Sequence, residues 1–182
     1  MVAPQAKVGL HPPGRVRYSC VVKKKVYVET SVISYLASRT SRGVLTLAMQ
    51  KMTADWWSNR RWDFDVYVSE LVFDESRRGD ADAVRRRMVI LKEIGTLAVN
   101  DSVTALAKKL VAEGALPTRA VDDAMHVALA AAHGMDYLLT WNCRHIDNAE
   151  LKPLIRSVCA IAGYSCPEIC SPQELMEGHA HD

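Results

Sequence analysis

Acidic and hydrogen-bonding side chains recur in this chain just beyond short β-prone segments. Glu29 directly follows Val26-Tyr27-Val28, and Glu70 and Glu75 come after Val66-Tyr67-Val68. Asn142, His145 and Asp147 follow Tyr137-Leu138-Leu139-Thr140, while Asp122 and Asp123 open the helical stretch before it. Carboxylates gathered in one crevice repel one another and raise their own pKa values, so such a group is stable chiefly around a divalent cation. Hard oxygen donors of this kind suit Mg²⁺ or Mn²⁺.

Taken singly, most of these acids have an ordinary role. Asp122, Asp123 and Glu70 fall in the first turns of helices, where a negative charge meets the positive end of the helix dipole. Glu75, within Phe73-Asp74-Glu75-Ser76-Arg77-Arg78, fits a solvated charged face. Glu29 differs, because an acid immediately after a strand gains little from a dipole unless it caps or binds something. The set is more informative than any one member.

The elements that must position these residues alternate between strand and helix. Strands are expected at 26–28, 66–68, 97–99, 137–140 and near 168–170. Helices are expected from about 30–36, 41–59, 69–78, 80–95, 101–113, 118–133 and 149–162, with a last helical turn over 172–176. Gly79, Gly95, Gly114 and Gly134 mark stops between them. Such alternation implies an α/β protein, a three-layer α/β/α sandwich around a parallel sheet of four to five strands. In sheets of this kind the functional crevice lies beyond the carboxyl ends of the strands, where the polar residues above are found.

At 182 residues the chain fits one domain, with 49% hydrophobic and 24% charged residues, an ordinary globular composition. The formal charge of +2 is too mild to identify a polyanionic partner; the clustering of basic residues matters more. Arg77, Arg78, Arg85, Arg86 and Arg87 lie near the second acidic block, and Arg60-Arg61-Trp62 precedes it. Phosphate contacts and a solvated helix face are both open readings of these arginines. Trp56 and Trp57 are assigned to packing in the core or against a partner, with base stacking as the alternative.

Five cysteines with no CxxC pair argue against a disulfide framework and fit a reducing cytoplasm. Cys166 and Cys170 with His179 and His181 are the one set able to supply four zinc ligands, but a solvated tail is the simpler reading. No apolar stretch approaches the roughly 20 residues needed to cross a bilayer, and the prolines near the start interrupt any signal-like run. Residues 1–22 read as a loosely ordered extension, 23–178 as the domain and 179–182 as a tail.

Four blocks together resemble the PIN-domain family, and within it the VapC toxins of type II toxin–antitoxin pairs. Val26-Tyr27-Val28-Glu29-Thr30-Ser31 is similar to the family's opening strand, with Glu29 where Asp is usual. In Val68-Ser69-Glu70-Leu71-Val72-Phe73-Asp74-Glu75 the family's Glu falls on Glu75 rather than Glu70. Asp123-Ala124-Met125-His126 places the family's Asp on Asp123, and Leu138-Leu139-Thr140-Trp141-Asn142-Cys143-Arg144-His145 resembles the last strand and loop. There His145 stands where the family commonly has a fourth acid.

This resemblance implies a metal-dependent endoribonuclease in which Glu29, Glu75 and Asp123 hold Mg²⁺ or Mn²⁺. The ion would generate the attacking hydroxide and stabilise charge on the phosphoryl oxygens. It implies one tight ion, a second joining only when substrate phosphate adds ligands, with Thr30, Ser31, Asn142, His145 and Asp147 in support. Thr30 and Ser31 are expected to cap the first helix and to orient Glu29. His145 contacts a phosphate, donates a proton or simply lies on the surface. His126, one helical turn beyond Asp123, is either a group behind the ligands or a satisfied core histidine.

Arg77, Arg78 and Arg85 are the expected RNA contacts, and a small antitoxin and a second copy of the chain the expected protein partners. The competing reading is a catalytically silent PIN-fold RNA-binding or scaffold protein. A flap-type DNA nuclease would need extra helices for which the chain has little room. A small-molecule phosphohydrolase would need an acidic DxD nucleophile after the first strand, which is missing.

Overall fold

The first strand, β1 (Lys24–Val28), runs from exposed lysines into Val26, Tyr27 and Val28, each 0% exposed. A strand covered on both faces reads as a continuous apolar run rather than an alternation, which is what these residues supply. The computed structural model describes residues 22–176. The remaining strands are β2 (Phe64–Ser69), β3 (Gly95–Leu97), β4 (Tyr137–Leu139) and β5 (Glu168–Cys170). All pair in parallel, in the order β3-β2-β1-β4-β5.

Two helical layers sandwich this sheet. α1 (Thr30–Ala37), α2 (Val44–Asn59), α3 (Glu70–Ser76) and α4 (Ala81–Leu91) pack on one another, as do α5 (Asp101–Ala112), α6 (Val121–Ala132) and α7 (Lys152–Ile161). Side chains cap several of them: Ser69, Asp80 and Asn100 accept from the amides of Val72, Ala83 and Val103. Gly114 (φ 72°) and Gly134 (φ 63°) end α5 and α6 in the left-handed conformation that glycine adopts without penalty.

The chain winds from β1 outward to β3, then crosses back to β4 on the other side of β1. The strand order therefore reverses between β1 and β4, and the carboxyl ends of these two strands flank the switch-point crevice.

The third strand lies two residues earlier than the apolar run Leu97-Ala98-Val99 suggests. Gly95 pairs with Tyr67, and a Cβ there would sit 3.0 Å from the Tyr67 ring, so glycine lets the strand come this close without displacing that ring. Three helices also start later than expected. Gly43 rather than Ser41 precedes α2, because the Ser41 amide is tied to Gln50 (2.9 Å). The Ala120 amide closes a turn on the Pro117 carbonyl before α6, and Asn148 organises a turn before α7. Residues 1–21 of the extension expected over 1–22, and the tail histidines His179 and His181, lie outside the described residues.

Asp136 fastens the entry side of the sheet. Its carboxylate takes Lys24 Nζ at 2.7 Å and the Lys25 amide at 2.8 Å, and its carbonyl accepts from Glu168 N at 2.9 Å. Slight burial works against the charged form, but the Lys24 bond, the Lys25 amide and the two lysine charges outweigh it and hold Asp136 below the ordinary carboxylate value. A lowered folded-state pKa contributes stability that is present above the unfolded value and lost as pH falls through the folded one. Wild type should therefore exceed Asp136→Asn in urea denaturation at neutral pH, and the gap should close well below about pH 3.9. A gap that persists in acid would show that the charge contributes nothing.

Candidate active site

Glu29 sits where β1 gives way to α1, at the switch point. Its amide donates to the Leu139 carbonyl (3.0 Å), continuing the β1–β4 ladder one residue past the strand. The residue is 7% exposed, and its Oε2 accepts from Thr140 Oγ1 (2.8 Å) and from Ser31 Oγ. Ser31 Oγ accepts from the Trp141 amide (2.9 Å), and Thr140 Oγ1 from the Asn142 amide (2.9 Å). Hydroxyls from both strand ends thus aim one buried carboxylate.

Thr30 serves a different acid from the one expected. Its hydroxyl donates to Glu75 Oε2, and neither Thr30 nor Ser31 caps α1, which has no side-chain cap. Glu75 is also 3.0 Å from His126 Nε2, and the His126 Nε2 to Glu29 Oε1 distance is 3.9 Å. Ligand atoms from Glu29, Glu75 and His126 all lie within 4.8 Å of one another.

Behind this cluster, His126 Nδ1 meets the Tyr27 hydroxyl at 2.7 Å, and that hydroxyl meets Ser69 Oγ at 2.7 Å. A neutral imidazole with its proton on Nε2 satisfies the whole chain. Ser69 donates to Tyr27, Tyr27 to Nδ1, and Nε2–H to Glu75, while Ser69 Oγ still accepts from the Val72 amide. His126 is thus both a satisfied core histidine and a neighbour of the acids, so the two readings merge.

The electrostatics follow from this crowding. Burial works against a charged Glu75, but the His126 hydrogen bond and charge, the Thr30 hydroxyl and the Arg78 charge hold it below the usual value. Burial likewise opposes protonation of His126, yet the Glu75 bond and the charges of Glu29, Glu75 and Asp123 raise it above the ordinary imidazole value. Burial pushes the Tyr27 phenol well up, keeping it a neutral donor. The buried acids therefore favour an added positive charge beside them. Two carboxylates suit a divalent cation, and His126 could join them only by giving up the Nε2 proton that bonds Glu75.

Asp123, in the first turn of α6, stands outside that close cluster. Its Oδ1 accepts from Asn142 Nδ2 (2.9 Å) and its Oδ2 lies 2.7 Å from His145 Nδ1. The His145 amide closes the ring onto Asn142 Oδ1 at 3.1 Å. Glu75, Asp122, Asp123, Arg119, Ala120, Arg144 and His145 line one open cavity of about 440 Å³.

The other expected residues are placed elsewhere. Asp147 is ion-paired to Lys152 (2.7 Å) on a separate cavity of about 710 Å³ with Trp141, Cys143, Ser171 and Glu174, so it does not join the cluster. Glu70 is exposed and borders a different depression with Phe73, Asp74 and Arg77. Arg77 pairs with Asp74 at 2.7 Å and Arg85 with Asp82 at 3.2 Å, whereas Arg78 reaches Asp122 at 3.9 Å. Trp56 is fully buried against Phe64 and has no face for a base. Tyr27 and Thr140 had no assigned role in the sequence reading. Both lie in or beside strands, and their partners are 42 and 99, and 111, residues away respectively.

Residues 26–150 match the family model of the PIN domain, and the chain belongs to that family. Its fold is similar to that of a solved Mycobacterium tuberculosis protein, VapC20, described as a sarcin–ricin loop cleaving toxin. That likeness has a TM-score of 0.54 at 15% identity and covers 68% of this chain and 95% of the other. At this identity it speaks for the fold. A comparison with curated proteins finds no match.

Proposed function

We propose that this PIN-domain protein is a metal-dependent endoribonuclease of the VapC toxin type. The observation that carries the reading is the Glu29–Glu75–His126 cluster, buried except at Glu75, which opens onto a cavity that also presents Asp123 and His145. When bound, a divalent cation supplies an acidified water and neutralises charge developing on phosphoryl oxygens. Glu29 and Glu75 would hold it, with Asp123 facing the substrate side and His126 behind or among the ligands. Ser31, Thr140 and Thr30 fix the carboxylate rotamers beforehand, so the charged groups need not reorganise during the reaction. His145 keeps its Nδ1 proton on Asp123 and has a second ring nitrogen without a partner among the described residues; only as the imidazolium would that nitrogen carry a proton to give to the leaving oxygen.

The second reading, a silent RNA-binding module, is favoured by one feature: both Asp123 oxygens are already engaged, by Asn142 and His145. The reading also carries partners. A small antitoxin covering the acidic cavity and a second copy of the chain are proposed. Support for a protein partner comes from Val44, Leu45 and Leu47, which α2 exposes at 86%, 70% and 43%. A cytoplasmic setting is proposed from the four free described cysteines. Among the described residues no helix is long and apolar enough to cross a membrane.

The test is cleavage of a panel of structured RNAs with Mn²⁺, with Mg²⁺ and with EDTA. Cutting should occur with Mn²⁺ or Mg²⁺ and be absent in EDTA. Asp123→Asn should abolish it with little change in thermal stability, and Glu70→Gln should leave it intact. Equal cutting by wild type and Asp123→Asn would sink the site assignment, and no cutting of any RNA would favour the silent module.

A further inference from the structure

The arginines expected to meet RNA are largely occupied. Besides Arg77 and Arg85, Arg86 binds Asp82 and the Ala37 carbonyl, and Arg87 binds the carbonyls of Ser76 (3.0 Å) and Arg78 (2.6 Å). Arg86 and Arg87 tie α4 to α1 and to the end of α3, whereas Arg77 and Arg85 pair with acids one turn away on the surface. Moving one onto a phosphate would first break a contact inside the protein.

Arg119 and Arg144 differ on each count. Both line the acidic cavity, both are exposed, and neither side chain makes a hydrogen bond or an ion pair among the described residues. Arg119 immediately precedes Ala120, the cap residue of α6, while Arg144 lies in the loop after β4 beside His145. They come from two different segments of the chain to one opening.

We infer that Arg119 and Arg144 form a phosphate-binding rim that carries the RNA backbone across the acidic cavity. This rests on the ribonuclease reading only in taking RNA as the ligand. The electrostatic need is plain: Glu75, Asp122 and Asp123 on the lining repel a polyanion, and one divalent cation offsets only part of that charge. Two uncommitted guanidinium groups at the opening supply the balance, and each can take a phosphate through two parallel N–H bonds. Such contacts fix the register of the strand without reading its sequence.

The experiment is fluorescence anisotropy of a labelled RNA hairpin with Ca²⁺ in place of Mn²⁺, titrated over a range of salt. Arg119→Ala and Arg144→Ala should each weaken binding about tenfold and lower the slope of log affinity against log salt by roughly 0.7–0.9. The lysine variants should keep the slope while losing part of the affinity, because charge stays and the paired geometry goes. Arg85→Ala should bind as wild type does. In cleavage assays the two alanine variants should raise KM with kcat held.

Wild-type affinity and slope in Arg119→Ala and Arg144→Ala would overturn the rim alone. Failure of wild type to bind any RNA would overturn it together with the ribonuclease reading. Rim-dependent binding without cleavage in Mn²⁺ would uphold the rim and remove the catalytic reading.

Discussion

Glu29→Gln is expected to lower cation-dependent RNA cleavage by at least about a hundredfold while leaving the metal-free protein folded. The substitution keeps the shape of the side chain and an oxygen able to accept from Ser31 and Thr140. It removes the negative charge, which is what a divalent cation needs from a carboxylate. It also removes like-charge repulsion with Glu75, so the melting temperature without cation should stay level or rise. Added Mn²⁺ should then raise the melting temperature of wild type more than that of the variant, since a ligand stabilises the state that binds it. If Glu29→Gln cuts RNA as fast as wild type, Glu29 holds no catalytic cation.

The second large effect concerns stability. Trp56 is the largest fully buried side chain among the described residues, with ring centroids 6.1 Å from Phe64 and 6.3 Å from Trp57. Trp56→Ala should cost about 3–5 kcal/mol, through lost burial and the cavity left behind. In a chain of this size that lowers Tm by roughly 10 °C. Trp56→Phe should cost much less than its lost area suggests, because the Trp56 indole N–H is buried with no partner among the described residues. Urea denaturation of both variants checks the contrast, and equal losses would show that the orphaned donor carries no penalty.

Much of the architecture is legible in the sequence because its signals are local. Val26-Tyr27-Val28 and Tyr137-Leu138-Leu139 are strand-like in isolation, and glycines stop α5 and α6 where expected. The shift of β3 was not legible, since it depends on Gly95 fitting against a ring contributed by β2. The same divide runs through the site. Glu29 stands out by its position after a strand, and the cavity that holds Glu75 and Asp123 follows from the strand order. The pairing of Asp147 with Lys152 needed the structure, because a carboxylate near the right strand end can turn to either side of its loop. Likewise, which arginines are free depends on where Asp74 and Asp82 fall on neighbouring turns.

The two halves of the candidate site are far apart along the chain. The hydroxyl that aims Glu29 from β4 is 111 residues downstream, and the amide held by Ser31 is 110 residues from it. During synthesis the first half emerges with only Ser31 beside the Glu29 carboxylate, and nothing local can supply the second hydroxyl. The site assembles only when β4 arrives to lie beside β1, after most of the domain has left the ribosome. Whatever chemistry the finished cavity performs, the nascent chain is chemically idle until then, which gives a cell an interval in which a partner can be waiting before the protein is able to act.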